Sequence, residues 1–178
     1  MRYVALLRAV NVGGAKLPMA ELREVCAALG WQGVRTYIQS GNVVFDSDDA
    51  PAALEAALEA AVEQRFGFAR PVIVRTAGQW AEYAAGSPFP AQQQTQPNYL
   101  LLGVAKAPVA VGAAQVLQAR AAAGEEVRQA ADALWIWFPD GSGVSKLTPA
   151  AIDKAAGSPV TTRNWRTVCR LQEMLNGA

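Results

Sequence analysis

The residues able to do chemistry in this chain fall into four short clusters of amides, hydroxyls and cations. The first is Arg8 followed by Asn11-Val12-Gly13-Gly14-Ala15-Lys16. Paired glycines let a backbone approach a ligand closely, and free N–H groups at a following helix start attract anions. Asn11 and Lys16 add a donor and a charge. The spacing matches neither G-x-x-x-x-G-K-[ST] nor G-x-G-x-x-G, and the same segment would serve equally as a plain strand-to-helix connection. The second cluster is Gln39-Ser40-Gly41-Asn42, in which Gly41 and Asn42 suit a tight turn and Gln39 and Ser40 place polar groups beside it. The third, Ser145-Lys146, precedes a capped helix. The fourth, Thr161-Thr162-Arg163-Asn164-Trp165-Arg166-Thr167, crowds the expected start of the last helix. Capping by Thr162 or Asn164 accounts for part of it. It does not account for Arg163 and Arg166, because cations are unfavourable at a helix N-terminus unless an anion sits between them and the helix.

The chain contains no histidine. Ser-His-Asp triads, Cys-His dyads, the usual zinc sites and imidazole proton shuttles are therefore excluded, and no metal site is expected. No acid/base pair is visible, so no catalytic residue and no cofactor is assigned. If a reaction takes place, Lys146 or Lys16 is the group best suited to it. Charge placement points instead to anion binding. Residues 1–20 hold Arg2, Arg8 and Lys16 and no acid, and residues 141–172 hold Lys146, Lys154, Arg163, Arg166 and Arg170 against Asp153 alone. The positive charge of a chain with formal net charge +1 is thus gathered at its two ends. If those ends meet, they form an anion site; if not, they are two solvated basic faces.

The elements that must position these clusters are legible from periodicity. Residues 2–10 form a nearly continuous apolar run that predicts a strand buried on both faces. Pro18 suits a first helical residue, the stripe Leu22, Val25, Cys26 and Leu29 follows, and Gly30 ends the helix. Residues 34–40 and 43–46 read as strands joined by a two-residue Gly41-Asn42 turn. A second helix opens at Pro51, with Leu54, Leu58, Val62 and Phe66 inward and Glu55, Glu59 and Glu63 outward, and a strand follows over 71–76. The order β-α-β-β-α-β over residues 1–76 is the ferredoxin-like plan.

After a short helix near 79–85, the proline- and glutamine-rich residues 87–97 mark the expected boundary between residues 1–86 and 98–178. The second half reads as strand 99–104, helix 108–123, hairpin strands 126–130 and 134–138, and helix 148–156 capped by Thr148 and stopped by Gly157. It ends in a helix over 164–175 without a clear fourth strand. The expected fold class is α+β, two ferredoxin-like (βαββαβ-type) halves in tandem with a C-terminal helix. That duplication rests on element order, since the halves share no strong sequence identity.

With 178 residues, 52% of them hydrophobic and 17% charged, the chain can fill a core and is not disordered. No apolar run reaches the roughly 20 residues of a membrane span, and none has the pattern of a signal peptide. A cytoplasmic location is expected, with Cys26 and Cys169 as buried thiols among aliphatics.

Four segments carry a resemblance. Residues 3–23 (YVALLRAVNVGGAKLPMAELR), 35–45 (RTYIQSGNVVF), 145–148 (SKLT) and 161–168 (TTRNWRTV) closely resemble a bacterial family known as domain of unknown function 1697. The resemblance spans essentially the whole chain and departs from the family pattern at Ala9-Val10, where that pattern reads Gly-Ile. It implies a ferredoxin-like α+β fold with two related halves and no particular activity. Function therefore rests on the residues. The first expectation is a site for a small phosphate-bearing or nucleotide-like anion between the N-terminal glycine loop and the last helix. Arg8, Lys16, Lys146, Arg163 and Arg166 would supply charge to it, and Asn11, Gly13, Gly14, Ser40, Asn42, Thr162 and Asn164 hydrogen bonds. The alternatives are a nucleic-acid-binding module using a sheet as a stacking platform, disfavoured by the absence of an RRM-type aromatic strand, and a structural or oligomerisation domain built around Trp135, Trp137 and Phe138. The oligomeric state stays open.

Overall fold

The computed structural model describes residues 1–178. The chain forms two units, Met1–Ala81 together with Leu171–Ala178, and Glu82–Arg170. The fold is α+β, with two four-stranded antiparallel sheets and seven helices.

In the first unit, β1 (Arg2–Leu7), β2 (Gln32–Tyr37), β3 (Asn42–Asp46) and β4 (Val72–Thr76) form a sheet of order β2-β3-β1-β4. Helices α1 (Met19–Ala28) and α2 (Pro51–Phe66) supply Leu22, Cys26, Leu54, Leu58 and Val62 to a core shared with Tyr3, Ala5, Leu7, Val43, Phe45, Val72 and Val74. Each buried aliphatic of this kind contributes roughly 1.5–3 kcal/mol. Trp31 stacks on Phe45 with ring centroids 3.8 Å apart. The alternate residues Val4, Leu6, Val44 and Ile73 are buried as well, so β1 is covered on both faces as its apolar run predicts. The strand ends at Leu7 rather than residue 10, because Ala9 leaves the extended region.

Two local expectations are corrected here. The β2–β3 turn spans the four residues 38–41, and Asn42 belongs to β3, paired with Tyr37. The reason is Asn42 itself: its buried amide donates to the Tyr37 carbonyl at 2.9 Å and to Ser40 Oγ at 3.0 Å, closing the turn from inside the strand. Glu55 and Glu59 are half-buried rather than turned outward. Glu59 Oε1 accepts the Val72 amide at 2.8 Å and Glu55 Oε1 the Val74 amide at 2.9 Å. These are outward N–H groups of the edge strand β4, which α2 thereby shields from pairing with another chain.

In the second unit, β5 (Leu100–Ala105), β6 (Glu126–Ala130), β7 (Ala133–Trp137) and β8 (Val160–Asn164) repeat the order as β6-β7-β5-β8. Helices α5 (Ala113–Arg120) and α6 (Pro149–Ala156) bury Leu117, Ile152 and Ala156 against Ala105, Leu134, Ile136 and Val160. Thr148 Oγ1 accepts the Ala151 amide at 3.2 Å, and Gly157 ends α6 in the left-handed region, as the end signals predict. Here the fourth strand that the sequence pattern hid is present: β8 pairs antiparallel with β5. It escapes notice because Thr161, Thr162 and Arg163 break apolar alternation. Helix α5 is shorter than the expected 108–123, since Gly112 at φ +83° stops it from extending backward. Residues 87–97 hold the helix α4 (Pro90–Thr95) and the buried Phe89.

The chain passes between the units inside α3 (Ala77–Ala85) and inside α7 (Trp165–Leu175). Neither cysteine forms a disulfide; Cys26 is buried, whereas Cys169 is only half-buried.

Candidate functional site

Two of the four clusters meet in the first unit. Asn11 Nδ2 donates to the carbonyls of Leu17 at 2.9 Å and Gln39 at 2.6 Å, while its Oδ1 accepts the Leu17 amide at 2.8 Å. One side chain thus closes the glycine loop and ties it to the β2–β3 turn. The Leu7 amide donates to the Gly41 carbonyl at 2.9 Å. A Cβ at Gly41 would lie 2.7 Å from Val10 Cγ2 and 2.9 Å from Leu7 Cβ, so only glycine lets the turn approach the loop this closely. Asn11 and Gly41 therefore build the corner, and their polar groups serve it from within.

The backbone of this corner is unusual. Ala9, Asn11 and Ile38 are three of the four non-glycine residues with positive φ, at +52°, +56° and +49°. Such a conformation costs roughly 1–2 kcal/mol for an ordinary L-residue and gathers at functional sites. From residue 9 to 13 the sign of φ alternates, ending at Gly13 (+57°). Alternation of right- and left-handed residues is the backbone pattern in which successive amides can face one side and receive an anion. The amides of Val12, Gly13 and Gly14 donate to no group of the chain, and a Cβ at Gly13 or Gly14 would meet nothing within 4 Å.

The segments that make the corner, residues 7–18, 37–42 and 69–72, contain Arg8, Lys16 and Arg70 and no carboxylate side chain. Lys16 is exposed and Arg8 half-buried. Arg70 Nε donates to the Ala9 carbonyl at 3.1 Å, and its guanidinium lies 5.1 Å from the centre of the Phe68 ring. The sequence pattern does not single out Arg70. Its place beside Ala9 comes from β1–β4 pairing, which sets Leu7 opposite Val72. Ser40 and Gln39 sit in the turn, Gln39 exposed and Ser40 half-buried.

The other two clusters lie in the second unit. Ser145 donates its hydroxyl to the buried Glu125 carboxylate and accepts the Leu147 amide at 3.0 Å. That hydroxyl is the main cause holding Glu125 below the usual carboxylate range. Lys146 is exposed, and its carbonyl accepts Arg120 Nε at 2.7 Å. Thr161, Thr162 and Arg163 lie in the body of β8, and Asn164 ends that strand where α7 begins. Thr161 and Arg163 are buried, with Arg163 Nη1 donating to Thr161 Oγ1 at 2.7 Å and to the Thr162 carbonyl at 2.8 Å. Burial pushes the Arg163 guanidinium down to about 10. Asn164 Oδ1 accepts the Thr167 amide at 3.0 Å and so caps α7, leaving Arg166 exposed on its first turn.

No group of three His, Cys, Asp or Glu side chains is placed to hold a metal ion. No helix is long and apolar enough to cross a membrane. Two clefts lie away from the corner. One, of about 400 Å³, lies beside the Arg2–Asp46 ion pair and Arg35. The other, of about 530 Å³, lies between α5 and β6. The faces of the two sheets that a base-stacking platform would need, Val4, Leu6, Val44 and Ile73 in one and Leu100, Leu102, Val104 and Trp135 in the other, are buried.

The conserved bacterial protein SP0830 from Streptococcus pneumoniae has a similar structure, with a TM-score of 0.72 at 22% identity over 98% of this chain and 98% of that one. At that identity the likeness shows a shared fold. No curated protein matches the sequence. Residues 1–135, from β1 into β7, match the family described as protein of unknown function (DUF1697), and the chain belongs to that family.

Proposed function

We propose that this protein binds a small anionic ligand, a phosphate-bearing or nucleotide-like molecule, at the corner formed by the glycine loop and the β2–β3 turn. The observation that carries the proposal is the set of three consecutive amides, Val12 to Gly14, that have no partner in the chain and lie in a corner whose own segments carry Arg8, Lys16 and Arg70 and no carboxylate side chain. Backbone amides held in place by Asn11 need no reorganisation to receive an anion, and Lys16 and Arg8 add attraction. A cytoplasmic location, where such metabolites are abundant, goes with this proposal.

Calorimetric titration with pyrophosphate at low ionic strength tests it. Wild-type protein is expected to bind, and a hundredfold excess over the dissociation constant should stabilise the fold by about 2.7 kcal/mol. Lys16→Ala should weaken binding about tenfold, the loss of one charge-assisted contact. Lys146→Ala and Arg166→Ala, measured alongside, report whether the exposed cations of the second unit contribute. If phosphate and pyrophosphate neither bind nor stabilise the wild type, the proposal fails. Binding of an oligonucleotide in their place would favour the nucleic-acid reading.

A further inference from the structure

Two exposed aliphatic side chains flank the point where the glycine loop and the turn are tied together. Val12 is 59% exposed and Ile38 is 49% exposed. Each lies one residue from the hydrogen bond between Asn11 Nδ2 and the Gln39 carbonyl. Neither belongs to the core of the first unit. Ile38 is also a β-branched residue at φ +49°, a conformation that asparagine or glycine adopts far more readily. The counterpart turn of the second unit also opens on a left-handed residue, Ala131 at φ +52°, so the hairpin calls for the conformation but not for an exposed β-branched side chain in it. The corresponding turn of the second unit, Ala131-Asp132, shows that the same sheet plan is satisfied without a large apolar side chain there.

We infer that the ligand of this corner is a nucleoside diphosphate, with its phosphates at the amides of residues 12–14 and its base lying against Val12 and Ile38. The inference rests on the anion-binding reading and narrows it. The amide of Val12 is one of the unpartnered donors, so an anion held there has the Val12 side chain as a neighbour. Val12 and Ile38 offer no hydrogen bond, so the group that lies against them presents an apolar face, which a base has and a sugar phosphate alone does not. The absence of carboxylates from residues 7–18, 37–42 and 69–72 suits the charge of a diphosphate.

The test is a comparison of dissociation constants for pyrophosphate, ribose 5-phosphate and the diphosphates ADP, GDP, CDP and UDP, by calorimetry on the full chain. At least one nucleoside diphosphate is expected to bind tenfold or more tightly than both base-free ligands. Ile38→Asn relieves the backbone conformation and is expected to fold. It should bring that nucleotide down to the affinity of pyrophosphate while leaving pyrophosphate itself unchanged. Val12→Ser, at an exposed position of negative φ, should act in the same direction and serves as a second variant. If pyrophosphate binds and no nucleotide exceeds it, or if both variants keep the preference, the inference is overturned and the anion site stands. If nothing binds, the anion site falls with it.

Discussion

The two sheets of this protein agree where the fold requires it and differ where folding gives no reason to. Their registers coincide: Val4 faces Arg75 and Val44 in one, and Leu102 faces Arg163 and Trp135 in the other. The Arg8 amide donates to the Pro71 carbonyl at 3.0 Å and the Lys106 amide to that of Pro159 at 2.9 Å. Each edge strand takes a carboxylate from the preceding helix, Glu59 on Val72 and Asp153 Oδ1 on Val160 at 2.9 Å. Each also carries a buried arginine at its fourth residue, Arg75 and Arg163. These shared features are what the sheet plan demands. The connections at the β2–β3 and β1–α1 end are not shared. The first unit has a four-residue turn wedged by Gly41 and a loop of alternating φ, while the second has a two-residue turn and no such alternation. The left-handed Ile38 of the first turn has a counterpart in Ala131, whereas left-handed Ala9 and Asn11 have none in the β5–α5 loop, and that difference marks the first unit's corner as the place to look for function.

The largest effect expected from this contrast is at the turns. Gly41→Ala should destabilise the protein by about 3 kcal/mol, through overpacking against Val10 and Leu7 plus left-handed strain. Ala131→Gly, at φ +52° in the counterpart turn, should instead gain about 0.5 kcal/mol. Urea unfolding followed by tryptophan fluorescence reads both, and a Gly41→Ala midpoint equal to wild type would remove the wedge from the account.

The edge carboxylates should behave alike. Glu59→Ala and Asp153→Ala are each expected to cost about 1–1.5 kcal/mol, the loss of an acceptor from a part-buried amide. Faster hydrogen exchange should appear at Val72 in one variant and at Val160 in the other. A response in only one would mean that the two caps are not equivalent.

Acid should separate the units. Asp46 is held below its ordinary value chiefly by its hydrogen bond from Arg2, and Glu125 below its ordinary 4.5 chiefly by Ser145. A lowered folded value means that the contribution is complete above the unfolded value and is lost as pH falls through the folded one. Ser145→Ala should raise the folded value of Glu125 and cost about 1 kcal/mol at neutral pH. Half-molar salt should blunt the half-exposed Arg2–Asp46 contribution more than that of buried Glu125. Equal salt sensitivity of the two acid transitions would contradict this division.

The smallest effect is at Ala9. Ala9→Gly should stabilise by about 0.5 kcal/mol, since glycine adopts positive φ without strain. The counterpart Ala107→Gly, where φ is not positive, should destabilise by a similar amount. Thermal melts of the pair should move in opposite directions; movement in the same direction would deny that the loop stores strain.

Much of this was legible in the sequence. Leu54, Leu58 and Val62 face the core at helical spacing, Thr148-Pro149 and Gly157 bound α6, and the β-α-β-β-α-β order of residues 1–76 is the one observed. These features are local: a hydrophobic period, a cap or a left-handed glycine acts within a few residues of itself. The polar strand β8 was hidden because a strand whose buried face carries Thr161 and Arg163 has no apolar alternation to read. Nor could spacing show that Glu55 and Glu59 turn toward β4, that Asn11 reaches Gln39, or that Arg70 sits beside Ala9. Each of those contacts joins residues 13 to 61 positions apart in the chain. Sheet order and register alone bring them within hydrogen-bonding distance, so the sequence determined the elements and the tertiary structure decided which of their polar groups meet.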